Sequence, residues 1–359
     1  MGPASRYPPR TRMGPASKTV VGLDIEPGYV AAVQAAAGRV AVERAAFAPL
    51  APGVVRDGEV VDVDTLAEAL RAMFAEHKLA KRVRLGVANQ RIVMRTVDLP
   101  PLTDEKQIAS AVQFQAQEHI PMPLEQAVLE HHTLGLVETA DGPRTRVVLV
   151  AARRDMIDRL LEATTRAGLR PHAIDLSAFA MIRALHRSEV TGTAVYVNVG
   201  GITNLAIAEG TTCVFTRVIP YGIESVAGDL AERRALTLEH AHGWLKHVGM
   251  LTPVEDLDGD PEIVVEARTV LTDGVRRIGD EVRNSLDFHV MQEGSSPVER
   301  VILTGPAVAI PGFSEQIGQQ IGLTVEVGLV SEATAGGFGG IDAGRLSVAA
   351  GLTVDEVGA

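Results

Sequence analysis

The stretch Val21-Gly22-Leu23-Asp24-Ile25-Glu26-Pro27-Gly28 leads an apolar run to one aspartate and then into a tight turn. A carboxylate placed this way can hold magnesium or orient a water beside a phosphate group. Val199-Gly200-Gly201-Ile202-Thr203 supplies complementary parts. Its two glycines let backbone N–H groups approach phosphate oxygens, and a hydroxyl follows them. A third glycine turn, Leu303-Thr304-Gly305, has the same character. Any one of these turns alone reads as a plain hairpin turn, and that reading stays open; their recurrence sets a phosphate site beside it. Two residues oppose such a site. Glu26 puts a second negative charge where phosphate would sit, and Pro27 has no N–H to donate.

Periodicity shows which elements carry these turns. Residues 19–25, 29–35 and 39–47 read as a three-strand meander, split by Pro27-Gly28 and by Gly38. A helix over 64–79 presents Leu66, Leu70, Met73 and Phe74 at helical spacing. Strands follow at 83–88 and 92–98. Leu99-Pro100-Pro101 stops the second, and Thr103 is expected to cap a helix with Asp104 and Glu105 in its first turn. Ile120-Pro121-Met122-Pro123 ends that helix. Strands at 127–136 and 145–152, a helix at 155–167 closed by Gly168, a strand at 170–174 and a helix at 177–187 complete the first half.

The meander then recurs at 194–199, 204–209 and 214–220, with Val21 aligned on Val195 at an offset of 174 residues. One half of the chain is thus expected to duplicate the other, giving two similar α/β lobes whose turns face a shared cleft. Helices at 225–234, 238–248 and 263–291, a strand at 300–303 and a helix at 312–321 follow. Segments 253–261 and 331–345, the latter with Gly336-Gly337-Phe338-Gly339-Gly340, read as exposed loops.

Composition removes several classes of function. The 359 residues have room for two domains, and 46% hydrophobic with 22% charged residues is ordinary for a globular protein. A net charge of −11 with only 4% aromatics argues against nucleic acid, which asks for basic patches and stacking faces. The single Cys213 excludes an internal disulfide and a cysteine metal cluster, and suits a reducing compartment. No apolar run is long enough to span a bilayer. Residues 1–18 repeat Met-Gly-Pro-Ala-Ser, as a second start site or a cloning scar would, and are expected to be a disordered, solvated tail. Arg6, Arg10, Arg12 and Lys18 leave contact with acidic lipid as an alternative for that tail.

With these motifs the chain resembles the actin-like ATPase superfamily, and within it the PilM family of type IV pilus assembly proteins. Gly22-Leu23-Asp24-Ile25 resembles the first phosphate strand, Val197-Asn198-Val199-Gly200-Gly201-Ile202-Thr203 the second phosphate turn, and Leu303-Thr304-Gly305 with Ile310-Pro311-Gly312 the adenosine turn. The narrower likeness is Arg95-Thr96-Val97-Asp98-Leu99-Pro100, a helix carrying Gln113 to Glu118, and His119-Ile120-Pro121-Met122-Pro123-Leu124-Glu125, which looks like the PilM insertion. Asp175-Leu176-Ser177-Ala178-Phe179-Ala180 and Ala350-Gly351-Leu352 extend it, so that it covers about residues 19–352.

The resemblance implies an α/β, actin-like (ribonuclease H-like), duplicated two-lobed fold with an inserted α+β subdomain and a nucleotide cleft between the lobes. The first lobe would take 19–82 and 153–190, the insertion 83–152 and the second lobe 191–330; 331–359 would return to the core. It implies a cytoplasmic protein at the inner face of the membrane, binding the N-terminal tail of a PilN-like membrane protein and other pilus assembly proteins. It also implies ATP and magnesium in the cleft. Asp24 would be the magnesium-linked carboxylate, Gly200, Gly201 and Thr203 would meet the β/γ-phosphates, Gly305 would let the backbone pass near the nucleotide, and Lys246 would lie near adenosine.

The cleft departs from the superfamily pattern in four places. Glu26, Pro27 and Gly28 replace a glycine followed by small hydroxyl residues, and Asn198 replaces an aspartate. Gly243 replaces a glutamate three residues before Lys246, and Pro306 replaces the second glycine of the adenosine turn. An amide at 198 positions water but is no base and brings no charge to a metal. The expectation is therefore a pilus scaffold with a degenerate cleft, Asp24 and Asn198 standing at the acidic positions. The rivals are an active ATPase of the same family and an FtsA-like division actin, which would end in an amphipathic membrane helix rather than the short acidic 352–359. A secretion L protein would run on into a transmembrane helix, and a sugar kinase needs a substrate aspartate that cannot be located. His131 and His132 point to opposite faces of a strand, and His240, His242 and His247 have poor ligand spacing. The acidic run 255–262 lacks the glycine and terminal glutamate of a calcium loop.

Overall fold

The computed structural model describes residues 19–35, 40–187, 192–292, 294–333 and 335–354. The expectations for residues 1–18, for the turn at Gly38 and for 355–359 lie outside these. Strands β1 (Val21–Glu26), β2 (Tyr29–Ala35) and β3 (Ala41–Pro49) form the first meander. A small ribbon of β4 (Val55–Arg56) and β5 (Glu59–Val60) follows, then α1 (Val63–Glu76). Asp62 caps α1 by accepting the Thr65 N–H at 3.0 Å, and the four apolar residues read at helical spacing are all buried. Then come β6 (Arg82–Val87), β7 (Val93–Leu99), α2 (Glu105–His119), β8 (Ala127–Thr139), β9 (Gly142–Arg153), α3 (Arg154–Arg166), β10 (Arg170–Leu176) and α4 (Ser177–Leu185).

The second half repeats the plan. It runs through β11 (Thr193–Val199), β12 (Thr203–Glu209), β13 (Thr212–Ile219), α5 (Ile223–Arg234), α6 (Leu238–Val248) and α7 (Pro261–Val290). It then continues with β14 (Val298–Thr304), α8 (Phe313–Ile321), β15 (Val325–Val327), β16 (Ser331–Glu332) and α9 (Ser347–Gly351).

The sheets make the duplication explicit. One has the order β10-β6-β1-β2-β3-β16, the other β13-β12-β11-β14-β15. In each, the first strand of an antiparallel meander pairs in parallel with a later strand, β1 with β6 and β11 with β14. A separate sheet, β7-β9-β8, carries α2, whose Ile108 and Val112 pack on Val97, Val147 and Leu149. The fold is thus the duplicated actin-like α/β architecture that the motifs imply.

Three details differ from the sequence reading. Strand β6, expected inside the insertion, lies between β1 and β10 in the first sheet, so the separate sheet begins at β7. Asp104, not Thr103, caps α2, because its carboxylate accepts both the Lys106 and Gln107 N–H groups, at 3.1 and 3.0 Å. The segment 331–345 is not simply an exposed loop. Its start, β16, pairs with β3, and Glu332 accepts the Phe338 N–H at 2.8 Å, giving the glycine run a partner.

Each lobe has its own aliphatic core, and a third apolar cluster joins them. In that cluster α4 and α9 pack against Ala31 and Val33 of β2 and against Tyr196 and Ala206 of the second sheet. The approach is close enough to require glycine. A Cβ on Gly22 would stand 1.8 Å from the Ala349 carbonyl oxygen, and one on Gly351 1.8 Å from that of Ala180. The C-terminal segment thereby fixes β1, and with it Asp24, against the second lobe.

Candidate functional site

Alternation along β1 decides which residues face the second lobe. Leu23 and Ile25 enter the first core, so Asp24 and Glu26 share the opposite face. In β11 the same logic sends Val195, Val197 and Val199 into the second core and turns Tyr196 and Asn198 toward the first lobe. Pro27 and Gly28, the latter at φ +88°, reverse the chain between β1 and β2 and leave Glu26 at the tip of its strand.

The Glu26 carboxylate crosses the gap between the lobes. Its Oε1 accepts the Asn198 Nδ2 donor at 3.0 Å. Its Oε2 accepts the Gly201 N–H at 2.6 Å and, more weakly, the Ile202 N–H at 3.4 Å. The Tyr29 hydroxyl is a further donor. Glu26 is only 4% exposed. The backbone donors that the glycine turn would offer a phosphate are therefore engaged by a side chain of the same protein.

The turns also touch directly. A Cβ on Gly200 would stand 2.2 Å from Glu26 Oε2, one on Gly201 2.1 Å from the Pro27 carbonyl oxygen, and one on Gly222 2.2 Å from that of Gly200. The Glu26 carboxylate thus stands where a phosphate would meet the N–H groups of the turn. In this arrangement the residues present do not fit ATP and magnesium at the phosphate end.

Burial lifts Glu26 to about 7, even though its N–H and hydroxyl donors pull the other way. Asp24 lies well above the ordinary carboxylate range, first through burial and then through the charge of Glu26. Two buried carboxylates on one strand face resist ionising together, which ill suits Asp24 to hold a metal. Arg345 reaches in from the C-terminal segment. Its guanidinium lies 4.9 Å from the Tyr29 ring centroid and 5.0 Å from that of Phe47, and Nη1 is 3.8 Å from Glu224 Oε1. Glu224 Oε2 in turn lies 2.7 Å from His242 Nε2.

Of the residues expected at the site, the structure brings together Asp24, Asn198, Gly200, Gly201 and Gly305. Gly305, at φ +97°, packs so closely that a Cβ would stand 2.6 Å from Asn198 Oδ1. Thr203 adjoins the turn, but its hydroxyl donates to the Tyr221 carbonyl at 2.8 Å. Lys246 is exposed on α6, 3.6 Å from Asp342. Gly243, on the same helix, has open space around its Cα. Gly243→Ala is therefore expected to stabilise the fold by about 0.5–1 kcal/mol, readable as a higher urea midpoint, since nothing opposes the gain in helix propensity. A cavity of about 220 Å³ lies between Val87, Leu176 and Ala178 of the first half and Asn204, Thr216 and Val218 of the second; none of the glycine turns lines it.

The family of the chain follows from a match over residues 22–335 to the model for type IV pilus assembly protein PilM. The chain belongs to the PilM family. Among solved structures it resembles the PilM–PilN type IV pilus biogenesis complex, at 23% identity and a TM-score of 0.76, over 94% of this chain and 98% of that one. Ethanolamine utilization protein EutJ from Carboxydothermus hydrogenoformans matches at 15% identity and a TM-score of 0.55, over 94% and 90%. MreB 5 of Spiroplasma citri, bound to AMPPNP, matches at 14% and 0.53, over 94% and 95%. These likenesses agree with the actin-like fold. No helix among the described residues is long and apolar enough to cross a membrane.

Within this PilM-family fold, nothing local in the sequence marks Tyr29, Glu224, His242 or Arg345 as cleft residues. His242 reads as a solvated or core-edge histidine, and Arg345 lies in what reads as a loop. Glu26 was within reach of the sequence. It stands two residues after Asp24 on a strand, and so must share its face.

Proposed function

We propose that this PilM-family chain is a cytoplasmic scaffold of type IV pilus assembly, docked at the inner face of the membrane by binding the N-terminal tail of a PilN-like membrane protein. The observation that carries this reading is the family match over residues 22–335, together with an intact β7-α2-β8-β9 insertion and likeness to a PilM solved with PilN. The cleft, in this reading, no longer turns over ATP. Glu26 and Asn198 fill it from within, and Asp24 is buried beside another carboxylate.

Titration of the full chain with the cytoplasmic N-terminal peptide of its PilN-like partner is expected to give saturable binding at about 10 µM or tighter. Absence of heat and of pull-down at ten times that concentration would remove the scaffold reading. A second reading, an ATPase of the same family, draws on the retention of Asp24 at the end of β1. Phosphate release above a buffer control, lost in Asp24→Ala, would establish it.

A further inference from the structure

We propose that Glu26 is a resident substitute for a phosphate group: its carboxylate occupies the second glycine turn and latches the two lobes together with no nucleotide bound. The inference rests on the reading of a degenerate cleft and deepens it, because it says what took the nucleotide's place. A backbone turn rich in N–H donors binds anions whatever molecule supplies them, and a carboxylate offers two acceptor oxygens to a phosphate's three. Glu26 uses both. One oxygen takes the Gly201 and Ile202 N–H groups, and the other takes the Asn198 amide.

The departures at positions 26 and 198 form one device. An aspartate at 198 would set a carboxylate oxygen about where the Asn198 amide now donates, 3.0 Å from Glu26 Oε1, so that two carboxyl groups would crowd one contact and the amide donor would be lost. The asparagine turns that contact into a hydrogen bond. The glycines fit the same account. Gly200 lacks room for a Cβ because Glu26 Oε2 and the Tyr29 hydroxyl stand 2.2 and 2.7 Å from where it would be, so the turn is closed around the carboxylate. Pro27, which offers no donor, presents its carbonyl oxygen to Gly201 and completes the seam. The groups facing the latch are Asp24 and Tyr29 from the first lobe and Asn198, the turn amides and Glu224 from the second.

Hydrogen exchange of the full chain, followed by mass spectrometry over peptides covering 199–203, reads the latch directly. In the wild type the Gly201 and Ile202 amides are expected to be protected, and millimolar ATP with magnesium is expected to change nothing. In Glu26→Ala they are expected to exchange at least about tenfold faster, as loss of their hydrogen-bond acceptor implies, while peptides from β12 stay unchanged. Adding ATP with magnesium to that variant restores protection. Asn198→Asp in the wild-type background serves as the second variant and is expected to speed exchange at the same turn. Unchanged exchange in both variants, or equal protection of wild type and Glu26→Ala by the nucleotide, overturns the latch. Binding of the partner peptide separates the two ideas. If the wild type fails to bind it, the scaffold reading falls and the latch stands; if exchange is unaltered while the peptide binds, the reverse holds.

Discussion

Raising the pH from about 5 to about 8 is expected to destabilise the wild-type chain by about 3 kcal/mol, and to destabilise Glu26→Gln by clearly less. The sign follows from burial. The folded chain holds a proton on Glu26 up to about pH 7, whereas the ordinary value is 4.5. Between those limits the folded state binds more protons than the unfolded one, so stability is full below about 4.5 and falls as pH rises toward 7. Above 7 both states have released the proton and the slope from Glu26 vanishes. Asp24 is displaced in the same direction, by burial and by the charge of Glu26, so the glutamine variant keeps part of the slope. Urea unfolding at a series of pH values measures it. A wild-type stability that rises over this range would mean that the Gly201, Ile202 and Asn198 donors outweigh burial, and that Glu26 sits in the turn as a firmly ionised anion.

The duplicated fold was legible because its signals are local. Strand periodicity and the turns at Pro27-Gly28 and Gly200-Gly201 each act within a few positions of themselves, and the repeat doubles the meander and its first turn. The missed parts depend on distance in the chain. Nothing near Arg345 says that it will lie over Tyr29 and Phe47, because α9 carries that segment back onto β1 from the far end of the molecule. Strand β6 reads as part of the insertion because strand sequences do not declare which sheet accepts them; its parallel pairing with β1 and β10 is a tertiary choice. At the cleft the sequence raises a conflict at Glu26 and leaves its outcome open. A carboxylate facing a glycine turn repels a phosphate or replaces it, and only the geometry shows the Gly201 N–H directed at Oε2.

Gly201→Ala is expected to force the two lobes apart and to destabilise the chain by about 3–5 kcal/mol. The methyl would stand 2.1 Å from the Pro27 carbonyl oxygen and 3.0 Å from the Pro27 carbonyl carbon and Cδ. These are backbone and ring atoms, which cannot rotate aside as the end of a flexible side chain would. Relief therefore requires the first turn to move away from the second, and that motion draws Glu26 from its donors. Overpacking costs about 1–3 kcal/mol, and the loss of the hydrogen bonds that Glu26 makes across the seam adds a similar amount. Gly243→Ala makes the same chemical change on an open helix face and should act in the opposite direction, so chain entropy alone cannot account for a loss at 201.

The displacement also has an electrostatic signature. Once Glu26 is exposed to water its proton is released near the ordinary 4.5, and the fall in stability between pH 5 and 7 shrinks. Glu26→Gln added to Gly201→Ala should then change little, because the contacts it removes are already gone, and a double-mutant cycle would show strong coupling between the two positions. A Gly201→Ala variant within 1 kcal/mol of wild type, with the full pH slope retained, would mean that the methyl is accommodated without parting the turns and that Glu26 keeps its buried place.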